Sequence, residues 1–430
     1  MEQTSPVIIP WTTTQTWTFR FLFLFFILLI LTEPNAGAPM LQPFYQYYIQ
    51  PVHWAITWLA ANVLHLPERI NTFTNGSGDT TYDYLVVFSV AVLSLIGTII
   101  WSVIKRGPCN YYKLYYWLTV MLRFYVGITM IAYGGVKIIK LQFPAPGLYR
   151  LLEPYGDSSP MGLAWTFMGY SKGYNYFTGL AELSCGLLLL FRKTTTLGAV
   201  IALTVAANIM AINYCFDVPV KIISTMLVVM TLFILGRDFS RFINFFFLNQ
   251  TVQPAVLTPM RFKKRWKNIT LITLKYLLIT YVIVITAYAC IKGMTLYGER
   301  APKPPLYGIY NAETFIRGHD TIAPLITDGT RWRRLVISGQ NYAQVYFMND
   351  STLNYIFKID TSAKKVFLYN YSDSAQKYVL KYIKSDPGVL KLEGKLLSDT
   401  VQITLRRFDE KKFRLNSRGF HWVNEYPFNR

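Results

Sequence analysis

Cysteine and histidine are scarce in this chain, four of each in 430 residues, and their placement excludes several kinds of chemistry. Cys109, Cys185, Cys215 and Cys290 form no C-x-x-C pair and fall on different elements, so neither a dithiol redox centre nor a zinc site is encoded locally. No G-x-G-x-x-G, P-loop or serine-triad context is present, which removes the common nucleotide-dependent and acyl-transfer enzymes. Acidic residues are few, 23 against 43 Lys and Arg, and charged residues make up only 15% of the chain.

Apolar residues fill the gap. The chain is 52% hydrophobic and 16% aromatic with a mean hydropathy of +0.27, a membrane-protein composition. A helix needs about 20 apolar residues to cross the hydrocarbon core. Seven runs approach that length: residues 17–32, 84–104, 114–139, 174–191, 195–214, 218–235 and 269–291. Residues 51–64, PVHWAITWLAANVL, are too short and too broken by His53 to span, and their tryptophans suit the headgroup layer. The first run also has the form of a signal peptide, FLFLFFILLIL behind Arg20 and ahead of AGA at 36–38. Its long polar leader, with Trp17 and Phe19, extends it toward a full span.

Lys and Arg set the orientation. With the N-terminus in the cytoplasm, the inner segments hold 13 of them: Arg20, then Lys105, Arg106 and Lys113, then Arg192 and Lys193, then seven within 237–267. The outer loops hold only Arg69, Lys140, Arg150 and Lys172. The pattern predicts a membrane protein whose N-terminus is cytoplasmic and whose C-terminal domain lies outside.

That last third alternates apolar and polar residues in segments such as RWRRLVIS, AQVYFMN, KKVFLYN and TVQITLRRF, separated by Asp, Asn, Ser and Gly. Period-two alternation predicts about eight antiparallel strands forming an all-β barrel or sandwich. The proline-rich APKPPLYG (301–308) reads as a stiff spacer before it. Four regions follow: N-terminal spans with a long outer loop (1–113), a four-helix membrane core (114–240), a basic cytoplasmic loop with the last span (241–295), and the extracytoplasmic β domain (296–430).

The net charge of +20 needs no nucleic-acid partner. Thirteen basic residues are topology signals, and from Gly293 onward 21 basic residues stand against 13 acidic ones, either a solvated basic surface or one that favours an anionic surface or partner. All four histidines, His53, His65, His319 and His421, map outside the bilayer, which excludes haem ligation by paired intramembrane histidines. Cys215 and Cys290 both map to outer helix ends, where an oxidising compartment leaves pairing open to them.

Charge inside hydrocarbon costs several kcal/mol, so the few polar groups in the spans are the candidate site. Arg123 and Glu182 reach similar depth on consecutive spans and can pair. Lys137, Asp217 and Lys221 map to outer span ends, with Asn208 and Asn213 one and two turns into a facing helix. Together they form a polar seam that opens outward. One reading is a structural ion pair with capping groups that fixes helix packing. The other is a pocket for an amphipathic molecule with one polar head, such as a quinone, held by Lys137, Glu182 or Asn208.

These residues also carry a family pattern. RFYVGITMIAYGGVK (123–137) gives R-x3-G-x6-G-G-x-K, and GLAELSCGLLLLFRKTTTLGA (179–199) gives G-x-x-E-x3-G followed by an apolar run and a basic turn. The region 114–235 thereby resembles the DoxX family of small integral membrane proteins. Arg123, Gly127, Gly134 and Lys137 match its first span, and Gly179, Glu182, Gly186 and Gly198 its second and third. The resemblance implies a four-helix core and an association with redox chemistry at membranes, some relatives being subunits of a thiosulfate:quinone oxidoreductase.

Outer segments complete the candidate site as a rim. NGSGDTTYDYL (75–85) places Asp79 as an N-cap and Asp83 in the first helical turn. The connection 141–173, with Glu153 and Asp157, is long enough to fold back over the seam. The tail RGFHWVNEYPFNR (418–430) offers His421 and Glu425 as an oriented proton donor, or a last strand that docks its aromatics. Two functions stay open. One is a redox-associated component that binds a quinone-like lipid in the bundle and a periplasmic or membrane redox partner through the β domain. The other is a non-catalytic assembly, scaffold or sensing protein.

Overall fold

The computed structural model describes residues 11–33, 35, 37–67, 70–72, 76–107, 109–252, 262–371, 377–386, 388–396 and 398–429. Arg69, Asn75 and Arg261, used in the charge and loop readings above, lie outside them. The chain forms two compact units: Met1–Phe143 with Pro160–Met294, and Pro144–Ser159 with Thr295–Arg430.

The first unit is helical. Its helices are α1 (Thr13–Thr32), α2 (Gln42–Asn62), α3 (Thr81–Ile104) and α4 (Tyr112–Ile138). In the second unit the short α5 (Leu148–Leu152) intervenes in sequence. The first unit then continues with α6 (Pro160–Tyr170), α7 (Lys172–Leu190), α8 (Thr195–Cys215), α9 (Lys221–Gly236), α10 (Phe239–Phe242) and α11 (Arg265–Leu296). Capping boxes start two of them. Thr12 with Gln15 opens α1, and Thr80 with Asp83 opens α3. Each expected run falls on a helix, and α1, α3, α4, α8 with its preceding turn, and α11 are long and apolar enough to cross a membrane. Joined to residues 239–247 across a 77° bend, α9 makes a sixth such segment. The α7 helix, expected as a span, is not among them; Lys172, Asn175 and Glu182 lower its apolarity.

Arg20, read above as a topology signal, is 2% exposed and anchors α1. Its guanidinium donates to the Tyr111 hydroxyl at 2.7 and 3.0 Å and to Ser102 at 2.6 Å. A buried cation needs such partners.

Helices in lipid gain little from apolar burial and hold together by close packing, which small residues permit. The α4 and α7 pair does this at two levels. A Cβ on Gly186 would lie 2.6 Å from the Gly127 carbonyl oxygen, and one on Gly134 would lie 2.7 Å from that of Gly179. Gly198 brings α8 equally near the Leu188 and Leu189 backbone of α7. The α11 helix joins through Ile279 and Val282, which pack with Ile128, Ile131 and Leu190.

The second unit is an up-and-down barrel, which settles the choice between barrel and sandwich. Its strands are β1 (Gly308–Arg317), β2 (Asp320–Thr321), β3 (Trp332–Gly339), β4 (Asn341–Phe347), β5 (Thr352–Asp360), β6 (Lys365–Asn370), β7 (Lys377–Asp386), β8 (Val389–Leu396) and β9 (Asp399–Phe408). Every neighbouring pair is antiparallel, β9 closes onto β1, and the two-residue β2 hangs on β1 outside the closed ring. Closure removes exposed edges. Inward residues at period two, among them Leu335, Val345, Phe357, Leu368, Leu380, Leu392 and Ile403, fill the interior. A cavity of about 270 Å³ touches Phe315, Arg317, Trp332, Tyr355 and Asp399.

The α5 helix belongs to this unit. Leu148 packs with Ile309 and Val336, and the Tyr149 ring meets Tyr342 edge-on at 5.4 Å. The chain ends after a short turn, α12 (Arg414–Ser417), in residues that form no strand among those described. Trp422 is 90% and Tyr426 84% exposed, so the tail does not dock its aromatics as a last strand.

A methyl group at Gly186 meets backbone, which cannot swing aside as a side chain can. Gly186→Ala is expected to destabilise the helical unit by about 1–3 kcal/mol, seen as a lowered melting temperature in detergent. Gly236→Ala, where a Cβ has open space, is expected to leave it unchanged.

Candidate functional site

The glycine contacts fix the register of antiparallel α4 and α7, and the register decides which charges meet. Lys137 and Glu182 form an ion pair. They are 4% and 1% exposed. Arg123 does not pair with Glu182. It lies level with the end of α7, about eight residues or ~12 Å of helix from Glu182. Its Nε and Nη2 instead donate to the Leu189 carbonyl at 3.1 and 2.9 Å, capping the C-terminus of α7.

The Lys137–Glu182 pair is incompletely satisfied. Glu182 Oε2 is buried with no hydrogen-bond partner. The Lys137 ammonium lies 5.8 Å from the centroid of the Phe143 ring, which packs edge-on against Trp165. Cys185 Sγ donates to the Glu182 carbonyl at 3.1 Å. On the same face of α7, two turns from Glu182 and level with the end of α4, Asn175 spends its amide nitrogen on Met168 and Ser171 carbonyls. Its Oδ1 is a second buried acceptor without a donor, and Gln142 Oε1, just past α4, is a third. Most buried polar atoms find partners, so three orphan acceptors on one helix pair call for an explanation. Asn175 escaped the sequence reading, although its spacing of seven residues from Glu182 on one helix put it on the same face.

The rest of the expected seam separates. Asn208 is exposed on α8, and Asn213 is buried with Nδ2 donating to the Val220 carbonyl at 3.2 Å. Asp217 is exposed and pairs with Lys221 at 2.8 Å. Among the described residues no hydrogen bond or ion pair joins these groups to Lys137 or Glu182. Nor is Asp79 the cap of α3; Thr80 holds that place, backed by Asp83. Asp79 caps α9 instead, its two oxygens accepting from the Lys221 and Ile222 amides at 2.7 and 3.0 Å. The Gly78 amide, which donates to the Pro219 carbonyl at 2.8 Å, carries the α3 entry to that helix end. Glu153 pairs with Arg150 in the second unit, which also contains Asp157. His421 Nδ1 lies 2.9 Å from the Gly419 carbonyl oxygen, and no hydrogen bond joins it to the exposed Glu425. Cys215 and Cys290 are free thiols.

One polar cluster went unread. Glu33, just after α1, is the lone acid between Glu2 and Glu68. Its carbonyl accepts from the Tyr125 hydroxyl at 3.0 Å, and the Tyr45 hydroxyl donates to Thr32 beside it. Burial, and then the charge of Asp83, push the Glu33 carboxyl up to about 7. Nearby, His53 Nδ1 lies 2.7 Å from the Tyr82 hydroxyl, and burial pulls the imidazole down.

These features define a class: a membrane protein whose helical unit holds a buried ion pair and whose chain ends in a closed antiparallel β barrel. Over 124 residues, 29% of this chain and 79% of the relative, it is 37% identical to the uncharacterised protein YwoB of Bacillus subtilis (strain 168). The chain belongs to the family of that protein. No family model and no solved structure matches it.

Two stability effects follow. Asp79→Ala is expected to cost about 0.5–2 kcal/mol and to speed hydrogen exchange at the Lys221 and Ile222 amides. Glu33, with a folded value above that of an unfolded carboxyl, favours folding when protonated. Its contribution is complete below about pH 4.5, falls as pH rises, and is gone above about pH 7. The loss is up to ~3 kcal/mol, and melting temperatures measured across that window should flatten in Glu33→Gln.

Proposed function

We propose that this is a DoxX-like component of the bacterial inner membrane, with seven spans and a cytoplasmic N-terminus, that binds the polar head of a quinone-like lipid at Lys137 and Glu182. The observation that carries the reading is the buried ion pair whose Glu182 Oε2 has no partner. A purely structural pair in hydrocarbon gains most when every lone pair is used. Here the lysine offers donors and the carboxylate, with Asn175 Oδ1, offers acceptors. Lys137 would donate to a quinone carbonyl, and Glu182 would accept the hydroxyl of the corresponding quinol. In this reading electrons would pass between this lipid and a partner docked on the periplasmic β barrel. A second reading, a non-catalytic assembly or sensing protein, draws on the exposed Phe420, Trp422 and Tyr426 of the tail, which suit a protein-docking surface.

Extraction of the full chain in mild detergent, followed by quinone quantification by mass spectrometry, tests the first reading. About one equivalent per chain is expected, falling at least ~10-fold in Glu182→Gln and Lys137→Met, in line with the loss of a charge-assisted hydrogen bond. Quinone at background in the wild type, or unchanged in both variants, sinks it.

A further inference from the structure

At the C-terminal end of α7 three cations gather, and the fold accounts for one of them. Arg123 caps the helix through the Leu189 carbonyl. Arg192, in the turn that follows α7, and Lys275, on α11, both lie within electrostatic range of Arg123 and of each other; Arg237, which also acts on Arg123, is paired with Asp238. The Lys275 ammonium stands 5.0 Å from the ring centroid of Phe191, the residue before Arg192. Arg192 Nε is buried and has no hydrogen-bond partner.

The local negative charge does not balance this. A helix C-terminus is worth about half an elementary charge, so three full positive charges leave about two uncompensated. The acid of the adjoining α9–α10 turn, Asp238, is already engaged by Thr196 at 2.6 Å and by Arg237 and Arg241 at 3.1 Å each. No ion pair joins any acid to Arg123, Arg192 or Lys275 among the described residues. Both Arg192 and Lys275 are partly exposed, so a ligand can reach them. Exposed Leu271, one turn from Lys275 on the same face of α11, offers apolar surface beside the charge.

We propose that Arg192 and Lys275, backed by Arg123, bind a phosphate group that carries net negative charge, as the headgroup of an anionic phospholipid or as free phosphate. A phosphate oxygen supplies the acceptor that Arg192 Nε lacks, and its charge neutralises the cluster. Basic pockets between membrane helices on the cytoplasmic side recognise lipid headgroups in this way. The site shares no residue with the Lys137–Glu182 pair and stands independently of the function proposed for it.

Native mass spectrometry of the full chain in neutral detergent, with phosphatidylglycerol, phosphatidylcholine or inorganic phosphate added, tests this. Phosphatidylglycerol is expected to be retained about tenfold over phosphatidylcholine in the wild type and in Lys193→Gln, an exposed neighbour. That retention should fall about tenfold in the Arg192→Gln, Lys275→Gln double variant. Retention against excess inorganic phosphate assigns the lipid; displacement by phosphate, with the same sensitivity to the variants, assigns the free ion. Equal retention of both lipids by the wild type with no phosphate bound, or phosphatidylglycerol binding unchanged in the double variant, overturns the proposal. Should the double variant not fold, Arg192→Gln alone is read by the same criteria.

Discussion

Backbone contact between α4 and α7 is the constraint on which the helical unit depends. Gly127 against Gly186 and Gly134 against Gly179 bring the two helices closer than any side chain allows, and in lipid that closeness replaces the apolar driving force a soluble bundle would have. Because two contacts two turns apart fix both separation and register, everything else on these helices is placed by them. Lys137 meets Glu182, Arg123 falls at the end of α7, and α8 and α11 pack against what remains. The charges are positioned by the glycines.

Polar groups in the helical unit are then distributed by cost. Those that serve helix ends are fully used: Asp79 on α9, Asp83 on α3, Arg20 on the Tyr111 hydroxyl. Two clusters of charge are not closed in this way. One, at Lys137 and Glu182, has acceptors in excess; the other, at Arg192 and Lys275, has donors in excess. These opposite deficits are what the two proposed ligands, a hydroxyl-bearing head at the first and an anion at the second, would each supply.

The β barrel solves a different problem. Alternation in segments such as KKVFLYN made strands legible, because a period of two survives wherever one face is buried. Barrel or sandwich was not legible, since both bury one face of each strand. The pairing of β9 with β1 decides it, through contacts between residues nearly a hundred positions apart. The tail failed as a strand for a related reason: its aromatics have the right composition, but a closed barrel has no free edge left to accept them.

In the helical unit the apolar runs and the glycine spacing are properties of the chain read locally, and helices form where the runs predict. Partner choice is not local. The sequence placed Arg123 and Glu182 at similar depth, but depth along separate helices does not fix register, and a shift of about two turns exchanges one cation for another. Asp79 shows the same limit, since an acid before a helix suits a cap and only the approach of Pro219 to Gly78 shows which helix it caps. By itself the sequence determined the membrane character, the helices and the strands, through hydropathy and periodicity. Tertiary structure alone decided the pairing of charges, the orphan acceptors beside Glu182 and the closure of the barrel, because each depends on distances between segments that hydrophobic pattern does not encode.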